Sequence, residues 1–395
     1  MKKEFMIGGW LAPSNTVEAY KLAKACGINA MYLLGSDCGF CGDDGQVEAI
    51  RVAQEAGVNA IPLVTHRRMT FKDERFLQFD NVPAIMLCDE PPADRYPLLE
   101  ECVKEFYQTY PTSMRCEINL LPNYATLEQL KTKDYFEYVE KYVEMHERVM
   151  PEGNVLSVDH YPIFKKDGGI VITPLWLRCL STLTYFSRRK NLPTHCFIQT
   201  MAFSLNNDVE QDFTLLRMQF MTYFAFGFRA FSHFCYASPG IDEAFLAHQE
   251  AIIGRNGLPT KLYDEVKQVN ALVQSFADSY LDYRHLGTVA IAPEGQSVDA
   301  FEKWVEYLDL ADTDISEVTT DCPVLIGKFI NAAGEKGLFV THYNLPDKAD
   351  GLVQIRLKEK KDAVLHKDGE TESVSGCDCL RLNLEAGNGV FIQLK

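Results

Sequence analysis

No run in this 395-residue chain is long and apolar enough to span a bilayer, and the opening MKKEFMIGGWLAP has too short an apolar core for a secretion signal. Basic charge is also short: 39 Lys and Arg stand against 55 Asp and Glu, a net −16. A nucleic acid or an anionic membrane needs a basic footprint, so neither is an expected partner. Phosphate-cradling loops are missing, with no Walker or dinucleotide fingerprint anywhere. Metal motifs stop half-built. Cys38-Gly-Phe-Cys41 has the right spacing, yet no second pair or histidine cluster completes a zinc site, and Cys377-Asp-Cys379 has no complement either. Twelve cysteines without an export signal read as reduced thiols of a cytoplasmic protein, and neither a cofactor nor a metal is expected.

What is present is an ordinary globular composition, 47% apolar and 24% charged, in a chain longer than one core usually fills. Apolar strand-like runs alternate with helical periodicity through residue 280: strands at 5–11, 30–35, 59–65, 84–90, 114–121, 155–162, 195–203 and 228–236. The intervening helices fall at 17–25, 47–56, 72–79, 96–110, 126–150, 174–189, 212–226 and 261–280. Eight such units predict a (β/α)8 TIM barrel, an α/β fold for which about 250 residues is typical. After residue 283 the pattern changes to short β-like runs at 288–292, 324–330, 337–343, 352–357, 380–384 and 390–394, with one helix at 299–308. The expected organisation is a barrel over 1–284 and a small antiparallel β-sandwich domain over 285–395.

The stretch that fixes the chemistry is AIMLCDEPP, residues 84–92. An apolar run of this kind is a strand buried on both faces of a parallel sheet, and the proline pair cannot continue it. Asp89 and Glu90 therefore belong at the C-terminal mouth, where parallel barrels carry out their chemistry. The other strand ends supply Trp10, Asp37 (in the following loop), Asn119, Asp159, His160, Tyr161, Gln199, His233 and Tyr236. Aromatic faces stack on pyranose rings while amides, imidazoles and carboxylates reach hydroxyls, so the expected partner is a carbohydrate substrate. Lysine is scarce at these ends, which disfavours Schiff-base chemistry and the capture of sugar acids.

Hydrolysis of a glycosidic bond needs one group to protonate the leaving oxygen and another to attack or to activate water. Glu90 is the expected acid, with Asp89 beside it raising its proton affinity. The plainer alternative is that Glu90 binds an arginine or caps the next helix. Asp159 is the expected base or nucleophile, or else a hydroxyl ligand; Glu117 and Asp37 are lesser choices.

With these motifs assembled, the chain resembles the retaining (β/α)8 glycoside hydrolases of β-galactosidase and cellulase type. Those enzymes end strand four in Asn-Glu, often followed by proline, and use that Glu as acid/base; here the position reads Asp89-Glu90-Pro91. Asn119-Leu120-Leu121-Pro122 and Asp159-His160-Tyr161-Pro162 resemble two further motifs of such glycosidases, and residues 384–390 resemble the last hairpin of their C-terminal sandwiches. The resemblance implies a glycosidase fold and an acid at Glu90. It departs at strand seven, where the family's nucleophilic Glu is replaced by Gln199. A neutral amide cannot form a glycosyl ester. Another carboxylate such as Asp159 has taken over, or the enzyme inverts or uses substrate assistance, or the barrel binds sugar without cleaving it.

Overall fold

The computed structural model describes residues 2–35, 37–64, 72–203, 208–240, 249–294, 298, 310 and 313–395. Eight parallel strands make the first sheet: β1 (Met6–Gly9), β2 (Ala30–Tyr32), β3 (Asn59–Ile61), β4 (Ala84–Asp89), β5 (Arg115–Leu120), β6 (Leu156–Val158), β9 (Thr194–Gln199) and β10 (Ala230–Phe234). They follow the order β3-β2-β1-β10-β9-β6-β5-β4. A parallel bridge between Leu63 and Met86, with Val64 N–H donating to Met86 O at 3.0 Å, joins the two ends and closes the barrel. Closure leaves no sheet edge to solvent.

A hairpin, β7 (Ile163–Lys166) with β8 (Gly169–Ile172), is inserted after β6. It escapes the sequence pattern because Pro162 stops the preceding strand and the tip, Lys-Lys-Asp-Gly-Gly, reads as a plain loop.

Helices α1 (Val17–Ala25), α2 (Asp44–Ala56), α3 (Tyr96–Thr109), α4 (Leu127–Leu130), α5 (Tyr135–Val149), α6 (Leu175–Lys190), α7 (Phe213–Ala225), α8 (Lys261–Gln274) and α9 (Ala277–Tyr280) alternate with the strands. Local chemistry sets their ends. Thr16 caps α1 by accepting from Ala19 N–H at 3.3 Å. Gly57 ends α2 in the left-handed region at φ 72°. The helix expected over 126–150 divides into α4 and α5, because Lys131 adopts φ 56° and Asp134 starts a new cap. The one expected over 72–79 is a short 3-10 turn, Glu74–Gln78. The helix expected over 299–308 lies outside the described residues.

Strands β11 (Tyr283–Ile291), β12 (Ile315–Thr320), β13 (Val324–Asn331), β14 (Lys336–His342), β15 (Gly351–Lys367), β16 (Glu370–Leu384) and β17 (Gly389–Leu394) form the antiparallel β-sandwich. β15 and β16 are much longer than the sequence runs 352–357 and 380–384 indicate. Their distal halves are polar and half-exposed, so apolar patterning does not mark them. The first part of β15 pairs with β12 and the last part with β17, which wraps the sheet around its own apolar core.

Helix α7 is buried along most of its length, with barrel strands beneath it and β13 and β14 above. Phe224 packs on Phe231 of the barrel (5.0 Å between ring centres) and on Phe339 of the sandwich (5.5 Å). An all-round apolar helix is the signature of such a double interface.

Candidate active site

The end of β4 delivers two carboxylates at once. Glu90 has φ 48°, in the left-handed region that a β-substituted residue enters at a cost, and its N–H is held by Asn119 O at 2.9 Å. Strained backbone of this kind concentrates at functional positions. Across the mouth Asp159 follows β6, and the Glu90 and Asp159 carboxyls share a hydrogen bond.

Burial and the adjacent Asp89 charge push Glu90 up to about 7, against the lowering effect of its bond to Asp159. Glu90 also keeps an exposed surface, which argues for a smaller desolvation effect than the crowding of the mouth does. Like-charge repulsion acts in both pictures, so the upward direction stands. Asp159 is raised as well, by burial and then by the Glu90 and Asp89 charges; a hydrogen bond from Asn119 partly offsets this. The pair thus holds a proton that isolated carboxyls would release, and the titration belongs to both. No described Lys or Arg makes an ion pair with Glu90 or Asp159, and no group of three or more His, Cys, Asp or Glu among the described residues is arranged to hold a metal.

Asn119 joins Asp89 directly, its Nδ2 donating to Asp89 Oδ1 at 3.1 Å. Tyr161 packs at the same mouth against Phe203 (5.1 Å) and Phe234 (5.0 Å). Trp10 lies deeper, on Tyr32 at 5.4 Å and edge-on to Phe197 at 5.5 Å. Asp89 and Asn119 are thereby bonded to each other, while Tyr161 and Trp10 pack on aromatic neighbours.

Other expected contacts do not converge. His233 donates or accepts at both ring nitrogens, with Thr200 Oγ1 and Asn270 Oδ1 each at 2.9 Å, so it faces the helical layer and has nothing left for a ligand. Gln199 spends its amide on one peptide: Oε1 accepts from Ile163 N–H at 3.0 Å and Nε2 donates to Ile163 O at 2.9 Å. His160 is fully buried, with neither ring nitrogen hydrogen-bonded among the described residues, and its ring meets Tyr124 edge-to-face at 5.0 Å. Burial pulls its pKa down to about 3, so it stays neutral. Asp37 and Tyr236 line a cleft of about 430 Å³ between the ends of β1, β2 and β10 that does not include Glu90 or Asp159. Glu117 is tied within the barrel by Arg115 (3.0 Å) and Tyr32 (2.8 Å).

Sequence reasoning misses Tyr124. Its ring is 45% exposed and its hydroxyl reaches Asp159 O at 3.5 Å, which places an aromatic face beside the acidic pair. An exposed tyrosine just after the Asn-Leu-Leu-Pro strand end was the available signal. The twelve cysteines are all free thiols. Burial raises Cys38 to about 12 and Cys41 further, which leaves both protonated and poor nucleophiles.

The fold is shared with glycoside hydrolases of known structure. The β-galactosidase from Bacillus circulans sp. alkalophilus superposes with a TM-score of 0.55 at 9% identity, covering 100% of this chain and 99% of that one. The GH51 α-L-arabinofuranosidase from Thermotoga petrophila RKU-1 gives 0.49 at 10% identity (100% and 98% covered). A family 39 glycoside hydrolase from Bacteroides cellulosilyticus WH2 gives 0.45 at 12% (100% and 81%). No protein-family model matches the sequence, and no curated protein does. At such identities the likeness is one of architecture, a TIM barrel followed by a β-sandwich, and chemistry has to be argued from the site.

Proposed function

We propose that this barrel is a glycosidase that cleaves an O-glycosidic bond of a small glycan or oligosaccharide, with Glu90 as general acid. The observation that carries the reading is a carboxyl on strained backbone at the barrel mouth, kept protonated toward neutral pH by burial and the Asp89 charge and clear of any described cation. An acid that holds its proton to about pH 7 can deliver it to a departing glycosidic oxygen. Tyr124 and Tyr161 offer ring faces beside it, and Asn119 and Asp89 offer hydroxyl partners. The architecture shared with a β-galactosidase supports the same reading.

Asp159 fills the second role once a sugar ring enters and parts the hydrogen-bonded pair. Its buried Oδ1 has no hydrogen-bond partner among the described residues, so an acceptor is ready for a hydroxyl or a water. The account requires no metal or cofactor. Twelve cysteines without a disulfide support a reducing, cytoplasmic setting. The net −16 disfavours nucleic-acid and anionic-membrane partners, and no described helix is long and apolar enough to cross a membrane.

One observation favours a second reading. β9 ends without an acid, in a Gln199 committed to Ile163, which suits a barrel that binds carbohydrate without cleaving it. Incubation of the wild type with a panel of α- and β-linked oligosaccharides, read by chromatography and calorimetry together, separates the two. Product formation supports the glycosidase; saturable binding without product supports the silent barrel.

A further inference from the structure

Below the mouth, four parallel strands bring polar side chains into one lateral row. The register pairs Asp89 with Asn119, Asn119 with Ser157, and Ser157 with His195. Asp89 is the last residue of β4 while His195 is the second of β9, so the row runs from the mouth toward the barrel floor, as the stagger of a closed barrel requires. The contacts are continuous. Asn119 Nδ2 donates to Asp89 Oδ1 at 3.1 Å; Ser157 Oγ meets Asn119 Oδ1 at 2.8 Å and His195 Nδ1 at 2.8 Å; His195 Nε2 meets Ser232 Oγ at 2.9 Å. Ser157, His195 and Ser232 are all buried.

Hydrogen-bond arithmetic gives the chain a direction. An ionised Asp89 accepts only, so the Asn119 amide nitrogen faces it and the amide oxygen faces Ser157. Ser157 must spend its one proton on that oxygen, so it accepts from His195, which carries its hydrogen on Nδ1. His195 Nε2 then accepts from Ser232. Every proton points toward the carboxyls that Asn119 serves, Asp89 and Asp159. Donors arranged head to tail polarise one another, and a donor on a carboxylate favours its charged form.

From this we infer that Ser157 and His195 are positioning residues: they complete a one-way chain of donors that ends, through Asn119, on Asp89 and Asp159 and fixes the carboxyls standing beside Glu90. Nothing else assigned to the site uses either side chain. The groups facing Glu90 are Asp89 and Asp159 together with the Tyr124 and Tyr138 phenols; those facing His195 are Glu117 and Arg115. His195 is neutral, because burial lowers its pKa to about 4, and this suits a relay that orients without carrying charge.

The inference rests on Glu90 being the acid for its catalytic consequence, but its test does not need turnover. The Glu90 carboxyl is titrated by carbon-13 NMR in the full-length protein, with Glu90→Gln identifying its resonance. Ser157→Ala and His195→Leu should lower the Glu90 midpoint by about half a pH unit or more, because a less firmly held Asp89 charge repels a Glu90 anion less. His195→Asn, which keeps a donor near the Nδ1 position, should restore the parent midpoint. On an Asp89→Asn background the fall caused by Ser157→Ala or His195→Leu should be smaller, because only the Asp159 branch of the chain is left. An unchanged midpoint in both single variants overturns the relay, and so does a fall of undiminished size without Asp89. If Ser157→Ala does not fold, the His195 pair decides. Failure of the protein to hydrolyse any glycoside counts against the proposed function and leaves this titration to judge the relay.

Discussion

Gln199 clasps the peptide of Ile163 from both sides, accepting its N–H at 3.0 Å and donating to its carbonyl at 2.9 Å, while Gln219 of α7 clasps the backbone of Gln199 in the same way at 2.9 Å on each side. Gln199, which stands where the glycosidases that the sequence resembles carry a nucleophilic Glu, is therefore a tie between β9 and the β7–β8 hairpin. Gln199→Glu should not create a nucleophile. Its charge would sit against Ile163 O, and the expected result is a loss of about 1–3 kcal/mol of stability with no gain in turnover, measured by denaturant titration and glycoside assay. A faster enzyme would show that the position still points into the mouth.

Replacement of the acid separates binding from bond cleavage. Glu90→Gln should slow turnover of a natural oligosaccharide about 10²–10⁴-fold and leave binding by calorimetry within a few-fold. Equal loss of both would mark Glu90 as a binding group.

The shared proton makes a prediction about pH and stability. Both carboxyls are raised in the folded state, so the stabilising effect of protonation is complete below the unfolded-chain pKa near 4 and is lost as pH rises through about 7. Asp159→Asn removes a charge that opposes folding only at the higher pH. Its melting temperature relative to wild type should rise by a few degrees more at pH 8 than at pH 4, as read by calorimetry. A pH-independent difference contradicts the coupling.

Barrel and sandwich meet too closely to be independent. A Cβ on Gly327 of β13 would lie 2.3 Å from the Ala225 carbonyl at the end of α7, a backbone contact that cannot yield cheaply. Gly327→Ala should cost about 1–3 kcal/mol. We propose a boundary near residue 284, and a chain ending there should be insoluble, since it would bare the Phe224 and Tyr280 faces that pack on Phe339, Phe329 and Phe391. A soluble, cooperatively melting fragment would show that the barrel stands alone.

The barrel was legible because each strand–helix unit carries its own punctuation, and β4 announced its end through Asp89, Glu90 and two prolines. Which strand-end residues face the mouth was less legible. Strands of a parallel barrel are buried on both faces, so alternation of polarity does not separate inside from outside. Ser232 and His233 are adjacent and equally buried, yet the first meets His195 inside the barrel and the second meets Asn270 in the helical layer. The tie from Gln199 to Ile163 spans 36 residues and leaves no local trace. The interaction of Asp159 with Glu90 was likewise visible only once β4 and β6 stood across one mouth.

The most direct test of Glu90 as proton donor compares leaving groups. Glu90→Ala and wild type are assayed on a matched pair of glycosides of the sugar that wild type accepts, one with a dinitrophenyl aglycone and one with an alkyl aglycone. A departing dinitrophenolate needs no proton, whereas an alkoxide does. The account expects a loss of about 10²–10⁴-fold on the alkyl glycoside and a loss of a few-fold at most on the dinitrophenyl one. An equal loss on both, or none on either, contradicts it.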